Sequence, residues 1–156
     1  MPNKSLSHGN KMANASDRDF FRVLENLAPG DEVLFAEIVG RLAFNDAGLI
    51  PVIAQDSKAG TVLMLAWMNR RALEKTISSG LMTYWSRSRK KLWVKGETSG
   101  HYQRVESISF DCDGDAVLCQ VNQQGRACHT GRKTCFYLAL SSEGTRITVS
   151  TEKTLG

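Results

Sequence analysis

The stretch from Gly48 to Met68, GLIPVIAQDSKAGTVLMLAWM, decides how the chain folds. Gly48 to Ala54 and Thr61 to Met68 are short runs of apolar and β-branched residues, and Gln55-Asp56-Ser57-Lys58-Ala59-Gly60 between them is made of turn residues. The pattern predicts two strands joined by a tight connection. Downstream, Asn69 is placed to cap a helix, Leu73 and Ile77 share one face of it, and Gly80 stands where a left-handed terminal glycine belongs. Beyond Gly80, segments 82–86, 91–95, 104–111, 115–122 and 134–140 read as strands, bounded by Ser-Arg, Lys-Gly, Ser-Gly and Gln-Gln-Gly punctuation.

Upstream the texture differs. Residues 1–15 are rich in Asn, Ser and Lys without periodicity and read as a disordered leader. Ser16 reads as an N-cap with Asp19 three residues on, and Phe20, Leu24 and Leu27 recur at helical spacing until Pro29-Gly30. A second helix is expected over 31–43, where Leu34, Ile38 and Leu42 share a face, so that 16–44 forms a helical hairpin. Residues 45–140 form the core, and 141–156 a polar, Ser/Thr-rich tail with one β-like stretch, Arg146 to Val149. Many short strands with few helices predict an α+β fold, strand-rich, with a largely antiparallel sheet.

Composition narrows the class. The chain has 156 residues, 42% hydrophobic and 23% charged, with 3 prolines, which disfavours disordered, collagenous and disulfide-scaffold proteins. The longest apolar run, Val62 to Met68, is too short to span a bilayer, and the N-terminus has no apolar stretch of signal-peptide length. The expectation is a cytoplasmic protein in a reducing compartment, without membrane partners. There, the cysteines clustered at 112, 119, 128 and 135 are more often metal ligands or catalysts than cystines. A net charge of +4 suits a phosphorylated substrate or a nucleic acid equally.

The chemistry concentrates in residues 111–135. In Asp111-Cys112-Asp113-Gly114-Asp115, strand alternation would project the three carboxylates together and Cys112 to the opposite side. Such a set suits Mg²⁺, which accepts oxygen ligands; the alternative is a solvated acidic turn. An EF-hand is excluded, because the required Gly and Glu positions hold Ala116 and Asn122. Cys112, Cys128 and Cys135 are spaced C-x15-C-x6-C, with no C-x2-C knuckle. That spacing argues against a zinc finger; three thiolates would leave an open fourth position, the mark of catalytic zinc. The alternative is that the cysteines are small buried hydrophobes, the role assigned to Cys119 in its apolar run. If Cys112 points away from the carboxylates, a homodimer in which it completes the partner's site resolves the geometry. His129, beside Cys128, is a candidate ligand, acid–base group or surface residue; His101 is a further catalytic candidate. Segment 84–97 interleaves Tyr84, Trp85 and Trp93 with Arg87, Arg89, Lys90, Lys91 and Lys95, a pattern able to stack on a base and hold phosphates, or to solubilise a strand pair.

Taken together, Gly48-Leu49-Ile50-Pro51, Trp67-Met68-Asn69, Tyr84-Trp85-Ser86-Arg87-Ser88-Arg89, Leu92 to Gly100 and the Asp/Cys block resemble the phosphoribosyl-AMP cyclohydrolase family of histidine biosynthesis, from about Asn45 to Leu138. The resemblance implies an intertwined homodimer, one Zn²⁺ per subunit on Cys112, Cys128 and Cys135 with Cys112 donated across the interface, and Mg²⁺ on Asp111, Asp113 and Asp115. It implies hydrolytic opening of the adenine ring of 1-(5-phosphoribosyl)-AMP at the N1–C6 bond, giving a formimino-carboxamide ribonucleotide. It makes Arg87, Lys95, Arg132 and Lys133 candidates for the two phosphates and Trp85 the candidate for stacking. A chain ending at Gly156 leads one to expect a monofunctional enzyme. The rival from another class is a zinc-stabilised nucleic-acid-binding module using segment 84–95, against which three carboxylates near the binding face count. A thiol redox protein would need the absent C-x2-C dithiol.

Overall fold

The computed structural model describes residues 15–154. In chain order the elements are α1 (Ala15–Leu24), α2 (Phe35–Val39), β1 (Ile50–Asp56), β2 (Val62–Met68), α3 (Arg70–Ser79), β3 (Thr83–Ser86), β4 (Lys91–Val94), β5 (Gln103–Phe110), β6 (Val117–Gln123), β7 (Leu138–Leu140) and β8 (Ile147–Val149). The fold is α+β and strand-rich, as the sequence leads one to expect.

The main sheet has the order β2-β1-β6-β5. Turn residues 57–61 fold β2 back antiparallel on β1, and an acidic turn does the same for β6 on β5. The two hairpins join through β1 and β6, which run parallel with Val52 opposite Val117 and Ala54 opposite Cys119. The sheet is therefore mixed, not simply antiparallel. Alternation explains why this pairing holds: Ile50, Val52 and Ala54 on β1 and Val117, Cys119 and Val121 on β6 all turn to the buried face. β3 with β4, and β7 with β8, form two separate antiparallel ribbons.

α3 follows the sequence closely. The Asn69 side chain accepts from the Ala72 N–H at 2.9 Å, and Gly80 adopts φ 71°, closing the helix with its N–H on the Thr76 carbonyl. Its inner face is Ala72, Leu73 and Thr76; Ile77, expected beside Leu73, is exposed. The Thr76 hydroxyl donates to the Ala72 carbonyl and accepts from the Thr83 N–H, tying α3 to β3.

The N-terminal helices are shorter than periodicity suggests. α1 stops at Leu24, well before Pro29, and α2 is confined to 35–39. Ser16 lies inside α1, since the helix already includes Ala15, and the expected leader up to residue 14 lies outside the described residues. Both helices pack onto the sheet: Phe21, Val39 and Leu42 belong to the same core cluster as Val52, Met68 and Val117. The Ser/Thr-rich tail is paired, with β8 on β7 and the Arg132 Nε donating to the Thr151 carbonyl at 3.0 Å. Among the described residues no helix is long and apolar enough to cross a membrane.

Candidate active site

The candidate metal ligands and histidines fall at the two ends of the β5–β6 hairpin. At one end, residues 111–116 form the turn itself, so the carboxylates do not converge by strand alternation. The turn does that work instead. The Asp111 Oδ1 accepts from the backbone N–H groups of Asp115 at 2.9 Å and Ala116 at 3.1 Å, and Gly114 at φ 70° reverses the chain. Oxygens of Asp111, Asp113 and Asp115 then lie within 4.8 Å of one another, exposed to solvent. Crowding shows in their proton affinities. A hydrogen bond with the Asp111 carboxyl, then slight burial and repulsion, pushes Asp115 up to about 6. Slight burial works to raise Asp111 too, but hydrogen bonds from the Asp115 carboxyl and the Ala116 N–H outweigh it and hold Asp111 below its ordinary range.

This turn is braced by α1. A β-carbon on Gly114 would fall 2.2 Å from the Phe21 ring, so the ring lies flush on the glycine, and the Ala43 N–H donates to the Gly114 carbonyl at 2.8 Å. Phe21 in turn meets Phe20 edge-on at 5.5 Å, and the Arg41 guanidinium lies 4.4 Å from the Phe20 ring.

At the other end, the Gln124 N–H closes on the Tyr102 carbonyl, and beyond it a cavity of about 390 Å³ opens. Its walls include Trp93, Lys95, His101, Arg126, Cys128 and His129. Two glycines shape it: Gly125 carries the His101 ring against its backbone, and Gly96 receives the His101–Tyr102 peptide, each with no room for a side chain. The buried Cys128 Sγ accepts from the Thr130 hydroxyl at 3.0 Å and is hydrogen-bonded to Cys135. Burial opposes ionisation of Cys128, but hydrogen bonds from Thr130 and Cys135, with the Lys95 charge nearby, hold it below the ordinary thiol range. Burial and the Cys128 charge push Cys135 up to about 11. Lys95 is half-buried, 5.4 Å from the Trp93 ring centroid, and its Nζ donates to the Ala127 carbonyl. Burial lowers its proton affinity against the pull of both thiols.

The remaining candidates stand elsewhere. Cys112 is exposed on the acidic turn, and Cys119 is buried in the core, its thiol raised to about 12 by burial. At roughly 3.4 Å per residue, the seven residues of β6 set the two ends of the hairpin about 20 Å apart. Trp85 is half-buried on β3 opposite Leu92, away from the cavity walls, where Trp93 stands instead. Arg87 lies over the Trp67 ring at 5.2 Å, and Arg132 is stacked on Tyr137 at 4.0 Å. Lys133 is exposed near Asp56. Arg126 went unselected from the sequence and Trp93 was passed over in favour of Trp85; Gly125 before Arg126 and the alternation of β4 were the available signals.

Both donor sets suit a cation: three carboxylates offer hard oxygens, and two neighbouring thiols offer soft sulfur. Carboxylates on one turn, and a thiol, an amine and two imidazoles around one cavity, are the equipment of a hydrolase. Comparison with known proteins gives the family. Residues 64–137 match the family model described as phosphoribosyl-AMP cyclohydrolase. A phosphoribosyl-AMP cyclohydrolase of Chromohalobacter salexigens is 52% identical over 123 residues, 79% of this chain and 84% of that protein. One from Halorhodospira halophila is 51% identical over 126 residues, covering 81% and 87%, and one from Alkalilimnicola ehrlichii 47% over 132 residues, covering 85% and 93%. The chain belongs to the phosphoribosyl-AMP cyclohydrolase family and is an enzyme of the hydrolase class.

Proposed function

We propose that the enzyme opens the adenine ring of 1-(5-phosphoribosyl)-AMP in histidine biosynthesis by adding water at C6 and breaking the N1–C6 bond. The observation that carries this reading is the cavity that gathers Cys128, His129, His101 and Lys95, with the Cys135 thiol hydrogen-bonded to Cys128. Residues 16–44 act in it as a brace on the core of 45–140, and 141–156 as a tail tied to that core.

Cys128 and Cys135 would hold zinc, with Cys112 of a second subunit as third ligand in a homodimer. When bound, that metal supplies a Lewis acid that makes water acidic. The acidic turn would hold Mg²⁺, which screens phosphate charge. The separation of Cys112 from the thiol pair along the hairpin supports the two-subunit arrangement.

The chain's own residues then divide the work. Trp93 stacks on the purine, a role its place in the cavity suits better than that of Trp85. Lys95 and Arg126 hold one phosphate in the cavity, while exposed Arg87 and Lys133 are available to the other. Arg132, occupied by Tyr137 and the Thr151 carbonyl, keeps the tail in place. His129 takes the proton from the attacking water and returns it to N1 as the bond breaks, and His101, fixed against Gly125, orients the ring.

Turnover of phosphoribosyl-AMP, followed by ultraviolet absorbance, should vanish with a chelator and return with zinc and magnesium. Folded, metal-loaded protein without turnover would sink the reading. Coexpressed Cys112→Ser and Cys135→Ser chains, each inactive alone, should regain one working site per mixed dimer; no recovery would exclude the shared thiol.

A further inference from the structure

Behind the cavity walls runs a chain of polar side chains. Tyr84 on β3 and Gln103 on β5 are fully buried, and Gln123, opposite Gln103 on β6, is half-buried. The Tyr84 hydroxyl donates to the Gln103 Oε1 at 2.7 Å, and the Gln103 Nε2 donates to the Gln123 Oε1 at 2.8 Å. The Gln123 Nε2 then donates to two backbone carbonyls, Gln124 at 2.7 Å and His101 at 3.3 Å. Those carbonyls fix the direction of the whole chain. Because they only accept, the Gln123 amide nitrogen must face them; its oxygen then needs a donor from Gln103, whose own oxygen is left for the Tyr84 hydroxyl. The second Gln103 N–H points at the Met64 Sδ, 3.5 Å away, so every polar atom of this side chain is used. Leu or Met at position 103 would fill a similar volume without needing any of these partners.

The chain reaches three walls of the cavity that come from separate segments. Through Gln123 it holds the His101 carbonyl. That peptide is confined on two further sides: a side chain on Gly96 would collide with it, and the Gln124 N–H closes on the Tyr102 carbonyl at 2.9 Å. Through its own backbone carbonyl Gln103 accepts from the Met82 N–H at 3.0 Å, and the Met82 carbonyl accepts from the Lys95 N–H at 3.0 Å. Through Tyr84 it reaches Trp93, whose ring lies 5.6 Å from the Tyr84 ring. His101, Lys95 and Trp93 all line the cavity, and Gln103 stands outside it.

We infer that Gln103 is a positioning residue for the reaction: acting through Gln123, Met82 and Tyr84, it sets His101, Lys95 and Trp93 at one fixed spacing around the substrate. The inference rests on the reading that this cavity takes the purine. A buried amide with no free polar atom has one orientation, so the segments hung from it share that orientation. Geometry of this kind acts on the reacting step more than on binding, since a shift of about 1 Å in a group facing the substrate lowers turnover roughly 100-fold.

Steady-state kinetics with phosphoribosyl-AMP on the zinc-loaded full chain, beside zinc content and thermal unfolding, test it. Gln103→Leu, assayed well below its unfolding temperature, should lower kcat roughly 100-fold with KM within about threefold of wild type and zinc content unchanged. Combining it with Tyr84→Phe removes donor and acceptor together; most of the lost unfolding temperature should return, but kcat should not, because the His101 carbonyl stays without its fixed partner. Gln123→Leu, at a position water can reach, tests the same arm should Gln103→Leu fail to fold, with the same loss of kcat expected. Wild-type kcat in folded Gln103→Leu or Gln123→Leu, or kcat that recovers with stability in the double variant, would overturn the inference. His101→Ala separates it from the reading beneath. Intact kcat in Gln103→Leu beside a crippled His101→Ala overturns the positioning role alone, whereas full kcat in His101→Ala overturns the assignment of the cavity and the positioning role with it.

Discussion

The two ends of the β5–β6 hairpin hold chemistry assembled in opposite ways. The acidic turn is local: three carboxylates within five residues are gathered by one Asp side chain and one left-handed glycine. The thiol cavity is not local, since its walls come from β4, from the loop around Gly96 and His101 and from residues 126–131. A local site survives as long as its turn survives, whereas a composite site depends on every contact that positions its contributors. The two should therefore fail differently.

The largest expected effect is at the composite end. Cys128→Ser should lower zinc affinity by at least roughly 100-fold, because outer partners alone are worth about 10- to 100-fold, and activity should fall with it. Metal analysis with turnover reads both; retained zinc with lost activity would make Cys128 a reacting group instead. Next, Asp113→Asn should raise the Mg²⁺ needed for half-maximal activity by roughly tenfold while leaving zinc content unchanged, as expected when one charged ligand is removed from a hard-cation site. Equal loss of both metals would merge the two ends into one site.

Smaller effects sharpen the contrast. Tyr84 is fully buried between the ends, its hydroxyl donating to the Gln103 Oε1 at 2.7 Å, and burial raises its proton affinity well above 10. Its stabilising contribution is complete below the unfolded value near 10 and is lost as pH rises past it. A pH titration should thus show Tyr84 ionising only together with unfolding, and Tyr84→Phe should move that alkaline transition upward. Ionisation of all tyrosines in the folded protein would contradict this. Smallest of all, Cys119→Ala should keep activity and zinc and cost about 1 kcal/mol in urea unfolding, a small core truncation far from both cavities. A zinc-free Cys119→Ala would mean that the wrong third thiol was chosen.

What could be read from sequence follows the same division. Asn69, Gly80 and the Asp/Cys block are legible because their signals lie within a few residues of their effects. The acidic cluster is recovered even though turn geometry, not strand alternation, brings the oxygens together, because both mechanisms act on the same five residues. The parallel β1–β6 pairing is illegible: it joins Val52 to Val117, and each strand's pattern suits either direction. Trp93 and Trp85 are equivalent in composition and differ only in which face of the β3–β4 ribbon meets the cavity. The two strands of the last ribbon are legible as the strand expected over 134–140 and the β-like stretch Arg146 to Val149, but not their pairing with each other.

The β1–β6 pairing also orders events in time. Each hairpin closes over a short loop, but joining them requires the chain between residues 56 and 117 to be drawn in, and contacts so distant in sequence form slowly. The carboxylate turn is thus available to a cation early in folding, while Cys128 and Cys135 wait as free thiols until the sheet has closed. For that interval both are open to oxidation, whereas in the folded chain Cys128 is buried and Cys135 alone stays exposed, so reductant added before the sheet forms should raise the yield of active enzyme on refolding more than reductant added after.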